Sequence, residues 1–203
     1  MNEGNGTVNE MPICGGRVTT LARRQDRPVS LAVDGTNVYW VNQRAGTVNK
    51  VPIGGGRLTV LARGRQHPVS VAVDRTNVYF LDQGDSFFTR HAGTVNAVPL
   101  DGGRVVTLAY SQFTPNSVAV HGTHVYWTNG GNGTVKEARI GGGHVTTLAS
   151  GQNNPSSVVV DGKRVYWVNY VANGSVNAIP FDGGRVTTLA GGLRDPSAVT
   201  LGP

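Results

Sequence analysis

Apolar and polar residues alternate along this chain in short runs, and the runs come in sets of four. Residues 93–129 hold one such set: GTVNAVPL, RVVTLA, SVAV and VYWTN. Alternation with a period of two, rich in Val and Thr, predicts a β-strand for each run. Two kinds of turn lie between them, GGG or DGG after the first run and DGT or a relative after the third. Both suit hairpin connections in which Gly or Asp takes positive φ. Anchored on the Gly of GTV, the set recurs from Gly6, Gly46, Gly93, Gly133 and Gly174, at spacings of 40, 47, 40 and 41 residues. Four antiparallel strands every ~40 residues is the pattern of a β-propeller blade, whereas solenoid coils repeat at ~20–30 residues.

Paired aromatics fit the same picture. Tyr39 and Trp40 are neighbours on one strand and so point to opposite faces of its sheet. Tyr79/Phe80, Tyr126/Trp127 and Tyr166/Trp167 repeat the arrangement. A blade is covered on both faces by its neighbours, so both rings can be buried. Each ring removes ~150–250 Å² from water, worth roughly 4–6 kcal/mol as an upper limit. These residues are therefore core.

The expected architecture is all-β: one β-propeller domain over 1–203, with five blades of four-stranded antiparallel sheet. Full blades cover about 28–62, 68–109, 115–149 and 155–190, and a composite fifth blade combines 196–203 with 6–22. That fifth blade is incomplete and is closed by the N- and C-terminal strands. Asn2 aligns with Asn129, so the VYW strand has no counterpart in it. Closure on three strands, donation of the fourth by a partner chain, and membership of a longer protein are all compatible with this pattern.

The unit P-x-S-V-A-V-D-G-T-x-V-Y-W-x-N, followed by GTV…P…GG…TTLA, resembles the YWTD repeat of low-density-lipoprotein-receptor-type propellers. It is also similar to the short-blade propellers of bacterial envelope proteins. The likeness covers the whole chain, with Val, Leu or Thr before Asn or Asp where the family favours Thr-Asp. It implies that SVAV is the innermost strand of each blade, VYW the second, GTVNxVP the third and RVTTLA the outermost. The family's propellers have six blades, a number this chain does not reach.

Composition narrows the rest. The net charge is +6, from 18 basic residues against 12 acidic ones, and 15 of the 18 are Arg. Anionic partners suit such a surface. No apolar run approaches the ~18 residues of a membrane span, so membrane insertion is not expected. The polar start MNEGNGTVNEM lacks the form of a leader peptide. The chain reads as cytoplasmic, or as secreted or envelope-bound if a leader has been removed. A single cysteine, Cys14, excludes an intrachain disulfide.

The copies can be compared with one another. The turns joining strands 1 to 2 and 3 to 4 share one rim and hardly vary. On the other rim the 4→1 loops read RRQDRP, RGRQHP, YSQFTP, SGQNNP and GLRDP, and the 2→3 loops differ as much. Binding concentrates in variable loops on a rigid scaffold, so this rim is the expected functional face. A seven-residue insertion at 83–92 carries Phe87, Phe88, Arg90 and His91. Adjacent phenylalanines in a surface loop suggest a contact surface. Arg24, Arg27, Arg44, Arg65 and His67 lie on the same rim, together with Arg23 and Arg63. The expected partner is a protein or an anionic small ligand or glycan. Nucleic acid is not expected, because no stacking aromatics recur beside the arginines.

Gln25, Gln66, Gln112 and Gln152, each just before the blade-opening Pro, read as turn caps. Ser30, Ser70, Ser117 and Ser157 read as a structural ring on strand 1. No cofactor, metal site or catalytic residue is assigned. His121, His124 and His144 fall at turn positions of one blade without a completing carboxylate. His67, His91, Asp82 and Asp85 form the one acid–base group a lyase or hydrolase reading could use. The incomplete blade offers a third reading, a structural module that self-associates through its edge.

Overall fold

The computed structural model describes residues 1–84 and 92–202. Four antiparallel meanders of four strands each make up most of it. Blade I comprises β3 (Pro28–Val33), β4 (Asn37–Asn42), β5 (Thr47–Pro52) and β6 (Thr59–Ala62). Blade II comprises β7 (Pro68–Val73), β8 (Asn77–Asp82), β9 (Gly93–Pro99) and β10 (Val106–Gln112). Blade III comprises β11 (Pro115–His121), β12 (His124–Asn129), β13 (Thr134–Arg139) and β14 (Thr146–Ala149). Blade IV comprises β15 (Pro155–Val160), β16 (Arg164–Asn169), β17 (Gly174–Pro180) and β18 (Thr187–Leu193). Before blade I, β1 (Val8–Glu10) and β2 (Thr19–Ala22) form a two-stranded sheet.

Register is common to the blades. Tyr39 pairs with Ala32, Tyr79 with Ala72, Tyr126 with Ala119 and Tyr166 with Val159. The core is divided into slabs between consecutive sheets. Tyr39, Leu61 and Ala62 of blade I pack on Val71, Val78 and Phe80 of blade II. Tyr79, Leu108 and Ala109 pack on Val118, Val125 and Trp127 of blade III. Tyr126 and Ala149 pack on Val158, Val165 and Trp167 of blade IV. Val8, Leu21 and Ala22 of the N-terminal sheet pack on Val38, Trp40 and Val51 of blade I. In blades I to III the tyrosine of the pair thus faces the next blade, and in all four blades the Trp or Phe faces the preceding sheet. Trp40, Trp127 and Trp167 are fully buried, and truncating any of them to Ala would cost about 3–5 kcal/mol.

The serines of the innermost strands link the blades. Ser30 Oγ accepts the Val71 N–H at 3.1 Å, Ser70 that of Val118 at 3.1 Å, and Ser117 that of Val158 at 3.1 Å. Ser157 accepts the Val199 N–H at 3.3 Å. Each bond satisfies an inner-edge N–H that no ladder reaches. The chain ends take up positions on either side of the full blades. Residues 196–200 sit beside β15 but form no strand, and no ladder joins them to β1.

The two invariant turns are built differently. The Gly-Gly turns need their glycines: Gly54, Gly55 and Gly56 have φ of 82°, 97° and 142°. In the DGT turn of blade I the aspartate shapes the turn instead. Asp34 Oδ1 accepts the N–H groups of Thr36 and Asn37, both at 2.7 Å, and Oδ2 accepts the Tyr39 hydroxyl at 2.8 Å. Gly35 is not among the positive-φ residues, and blade II places Arg75 at the same position. The expectation that Gly or Asp takes positive φ in this turn is therefore corrected for blades I and II, where neither Asp34 and Gly35 nor Asp74 and Arg75 do.

Burial raises the Asp34 carboxyl, but the bonds from Thr36, Asn37 and Tyr39 outweigh it and hold the pKa at about 2. In blade IV the Tyr166 hydroxyl, then the N–H groups of Lys163 and Arg164, hold Asp161 at about 2. A carboxyl whose folded pKa lies below its ordinary 3.8 stabilises the fold above that value. The contribution is lost as pH falls from 3.8 towards 2. The thermal midpoint is expected to drop across this window. In the Asp34→Asn, Asp161→Asn double variant the drop should be shallower, as a pH series of melts would read. In blade III His121 replaces the aspartate, and Tyr126 instead stacks on Phe181 at 5.3 Å. Burial, and then Glu137, pushes the Tyr126 hydroxyl up to about 12.

Candidate functional site on the variable rim

The 4→1 loops share one backbone while differing in sequence. Each has two left-handed residues, the fourth and the first before the blade-opening Pro: Arg24 and Arg27, Gly64 and His67, Ser111 and Thr114, Gly151 and Asn154, Gly192 and Asp195. Their φ values lie between 46° and 69°. The second position is never Gly, although a side chain there costs roughly 1–2 kcal/mol and a residue before Pro favours extended backbone.

Ties to the neighbouring 2→3 loop hold this geometry. The carbonyls of Arg27, His67, Thr114 and Asn154 accept the N–H groups of Gln43, Gln83, Gly130 and Tyr170 at 2.9–3.1 Å. Side chains add to the ties: His67 Nδ1 donates to the Gly84 carbonyl at 3.0 Å, and Asn154 Nδ2 to that of Tyr170 at 3.1 Å. The rim is a platform of paired loops, each presenting different side chains.

Beneath it lies a polar triad. Gln25 Oε1 accepts Trp40 Nε1–H at 3.0 Å and Asn42 Nδ2–H at 2.9 Å, while its Nε2 donates to the Arg23 carbonyl at 2.8 Å. Gln112 serves Trp127 and Asn129 in the same way, and Gln152 serves Trp167 and Asn169. Capping of the turn is confirmed for these three. Gln66 is not their counterpart; the equivalent position is Arg65. Blade II has exchanged the whole set: Arg65 donates through Nε and Nη2 to Asp82 and lies over the Phe80 ring at 5.2 Å. Phe80 has no N–H to offer and Asp82 only accepts, so a donor must stand where the glutamine was. Burial pushes the Asp82 carboxyl up, against the pull of Arg65, Thr94 and Asn96. Arg65, a candidate ligand residue by sequence, is thereby engaged with its own blade.

Arg24, Arg27 and Arg44 are brought together. With Gln25, Asp26 and the N-terminal residues Glu3 to Gly6 they line a groove of about 680 Å³. Arg44 is shared with an adjoining groove of about 260 Å³ lined by Gln43, Arg65, Gln66 and His67. Arg27 pairs with Glu3 at 2.7 Å and Arg44 with Asp26 at 3.8 Å. All four side chains are about half exposed or more, so each pair is worth about 0–1 kcal/mol and exchanges readily. Glu3 and Asp26 were not candidates by sequence; only the fold brings Glu3 to Arg27.

Phe87, Phe88, Arg90 and His91, with Asp85, lie outside the described residues. Of the acid–base group, Asp82 is taken by Arg65. On the opposite rim, His124 and His144 border a groove with Glu137 and Arg139. Among the described residues no three His, Cys, Asp or Glu side chains converge to hold a metal ion.

The strand order, blade register and loop placement are those of a β-propeller. The solved nidogen/laminin complex contains a chain that matches with a TM-score of 0.76 and 21% identity, over 91% of this chain and 71% of that one. Virginiamycin B lyase from Staphylococcus aureus matches with a TM-score of 0.76 and 11% identity, over 97% and 67%. A streptogramin B lyase matches with a TM-score of 0.74 and 14% identity, over 93% and 63%. The chain thus spans roughly two thirds of the length of these propellers, and at such identities the likeness carries the fold. It includes the YWTD-type propeller of nidogen and extends to lyase propellers. No family model and no curated protein matches the chain.

Proposed function

We propose that the protein is a binding propeller that takes an anionic ligand, an acidic glycan or an acidic peptide segment, along the variable rim. The convergence of Arg24, Arg27 and Arg44 on one groove carries this reading. Their present partners are surface carboxylates that a ligand's carboxylate or sulfate can displace. A rigid platform spares the ligand the entropy of ordering the loops. The solved nidogen chain, taken from a complex with laminin, is a propeller of this shape in a protein–protein assembly.

Arg24→Ala with Arg44→Ala is expected to weaken binding of a sulfated oligosaccharide or a polyglutamate peptide about tenfold to a hundredfold, which is roughly 1–3 kcal/mol. Affinity should also fall as salt rises. Arg57→Ala with Arg104→Ala, on the opposite rim, should leave affinity unchanged. Equal losses from both pairs, read by calorimetric titration, would show only non-specific charge.

A second reading has one observation behind it. A carbonyl only accepts, so the bond to Gly84 places the neutral His67 proton on Nδ1 and leaves Nε2 as a base. The lyases among the similar structures make this worth one assay. His67→Ala abolishes turnover of a candidate lyase substrate in this reading and leaves oligosaccharide affinity intact in the first.

A further inference from the structure

The grooves of the variable rim run into one another. Arg44 is common to the first and the second, and Arg65 and Gln66 are common to the second and a third of about 220 Å³. Asp82 and Thr94 also line this third groove. The arginines therefore lead along the rim to one buried carboxylate. A ligand laid on Arg24, Arg27 and Arg44 meets a different chemistry at that end.

That carboxylate is only half used. Asp82 Oδ2 accepts from Arg65, Thr94 and Asn96. Oδ1 is buried and has no hydrogen-bond partner among the described residues, and the whole side chain is 4% exposed. Buried acceptors are nearly always paired, and a carboxylate oxygen accepts more strongly than a neutral carbonyl. The same atom in blades I, III and IV, Oδ1 of Asn42, Asn129 and Asn169, is also buried without a partner. An open acceptor here thus belongs to the blade design. Blade II differs in making it a carboxylate, in setting a guanidinium beside it, and in lining a groove with both. Arg65 directs two of its five side-chain N–H groups at Asp82. Donors therefore remain next to the open acceptor.

We infer that Arg65 and Asp82 form a hydroxyl-recognition subsite, and that the acidic ligand of this rim is a glycan of the uronic acid type. Its carboxylates lie on the arginines, and a ring hydroxyl donates to Asp82 Oδ1. The inference rests on the anion-binding reading of the rim and narrows it. Neighbouring ring hydroxyls can donate to Oδ1 and accept from Arg65 at once, because each hydroxyl does both. A glutamate side chain only accepts and would set its charge against that of Asp82, which disfavours an acidic peptide. An ammonium would meet the charge of Arg65. A neutral donor supplies the missing bond without opposing either member of the pair.

Calorimetric titration of the whole chain with three probes tests this: a galacturonate oligosaccharide, the same oligosaccharide with its hydroxyls methylated, and a polyglutamate of equal charge. Methylation keeps the carboxylates and the oxygen acceptors and removes the hydroxyl donors. Wild type is expected to bind the intact oligosaccharide about tenfold more tightly than either of the others. Arg24→Ala with Arg44→Ala should weaken all three alike, which reads the groove separately from the subsite. Arg65→Gln with Phe80→Trp and Asp82→Asn gives blade II the Gln–Trp–Asn set of the other blades, and in that variant methylation should no longer matter. The wild-type comparison decides even if the triple variant fails to fold. No loss on methylation in wild type, or a loss that persists undiminished in the folded triple variant, would overturn the subsite. Polyglutamate bound as tightly as the intact oligosaccharide would overturn the subsite and leave the arginine groove standing. Failure of all three probes to bind would overturn both.

Discussion

Arg65→Gln is expected to cost about 3 kcal/mol, more than most substitutions on the variable rim, because it leaves the Asp82 carboxylate buried without its cation. The side chain of Asp82 is only 4% exposed, and Asn96 and Thr94 are its other donors. The fold holds the remedy three times over. Adding Phe80→Trp and Asp82→Asn recreates in blade II the Gln–Trp–Asn triad of blades I, III and IV. The new amide at position 82 would donate to Thr94 as Asn42 Nδ2 donates to Thr47 at 3.2 Å. The triple variant should come back to within about 1 kcal/mol of wild type, the residual being the cost of fitting a larger ring. Denaturant unfolding of the single and triple variants reads the coupling. If the losses simply add, the triad is not a unit.

The second large effect is expected at Gly133. The 4→1 loop passes so close to the Gly of GTV that Gln152 N–H bonds the Gly133 carbonyl at 2.9 Å. A Cβ on Gly133 would lie closer than 3.0 Å to the Gln152 carbonyl oxygen, and its φ is 64°. Gly46 and Gly6 are in the same position against Arg65 and Gln25. Gly133→Ala combines a left-handed side chain with a backbone clash and is expected to cost about 3 kcal/mol or more. Gly141→Ala is the control: nothing lies within 4 Å of its Cβ and its φ is not positive. It should change stability by less than about 0.5 kcal/mol.

Much of this was legible in the sequence, for a physical reason. A blade is local: its strands pair with their sequence neighbours, and its aromatics alternate in a short pattern, so a 40-residue window holds one whole unit. The inner serines, the Tyr/Trp division and the turn-capping Gln25, Gln112 and Gln152 follow from such windows. What was hidden depends on alignment finer than the eye makes from Pro and Gln alone. Gln66 looks like the partner of Gln25, yet Arg65 holds that place. The exchange becomes visible only when Phe80 and Asp82 are read with it, 15 and 17 residues on. The Arg27–Glu3 pair was hidden because the chain turns its first residues back against the first loop. Gly35 misled because an aspartate cap and a glycine turn read alike.

The claim that ligand binding belongs to the variable rim is tested most directly by hydrogen–deuterium exchange with and without a saturating sulfated oligosaccharide. Protection is predicted over 23–27 and 43–46, the loops that carry Arg24, Arg27 and Arg44. Protection confined to the Gly-Gly turns around Arg57 and Arg104 would contradict it and move the site to the opposite rim.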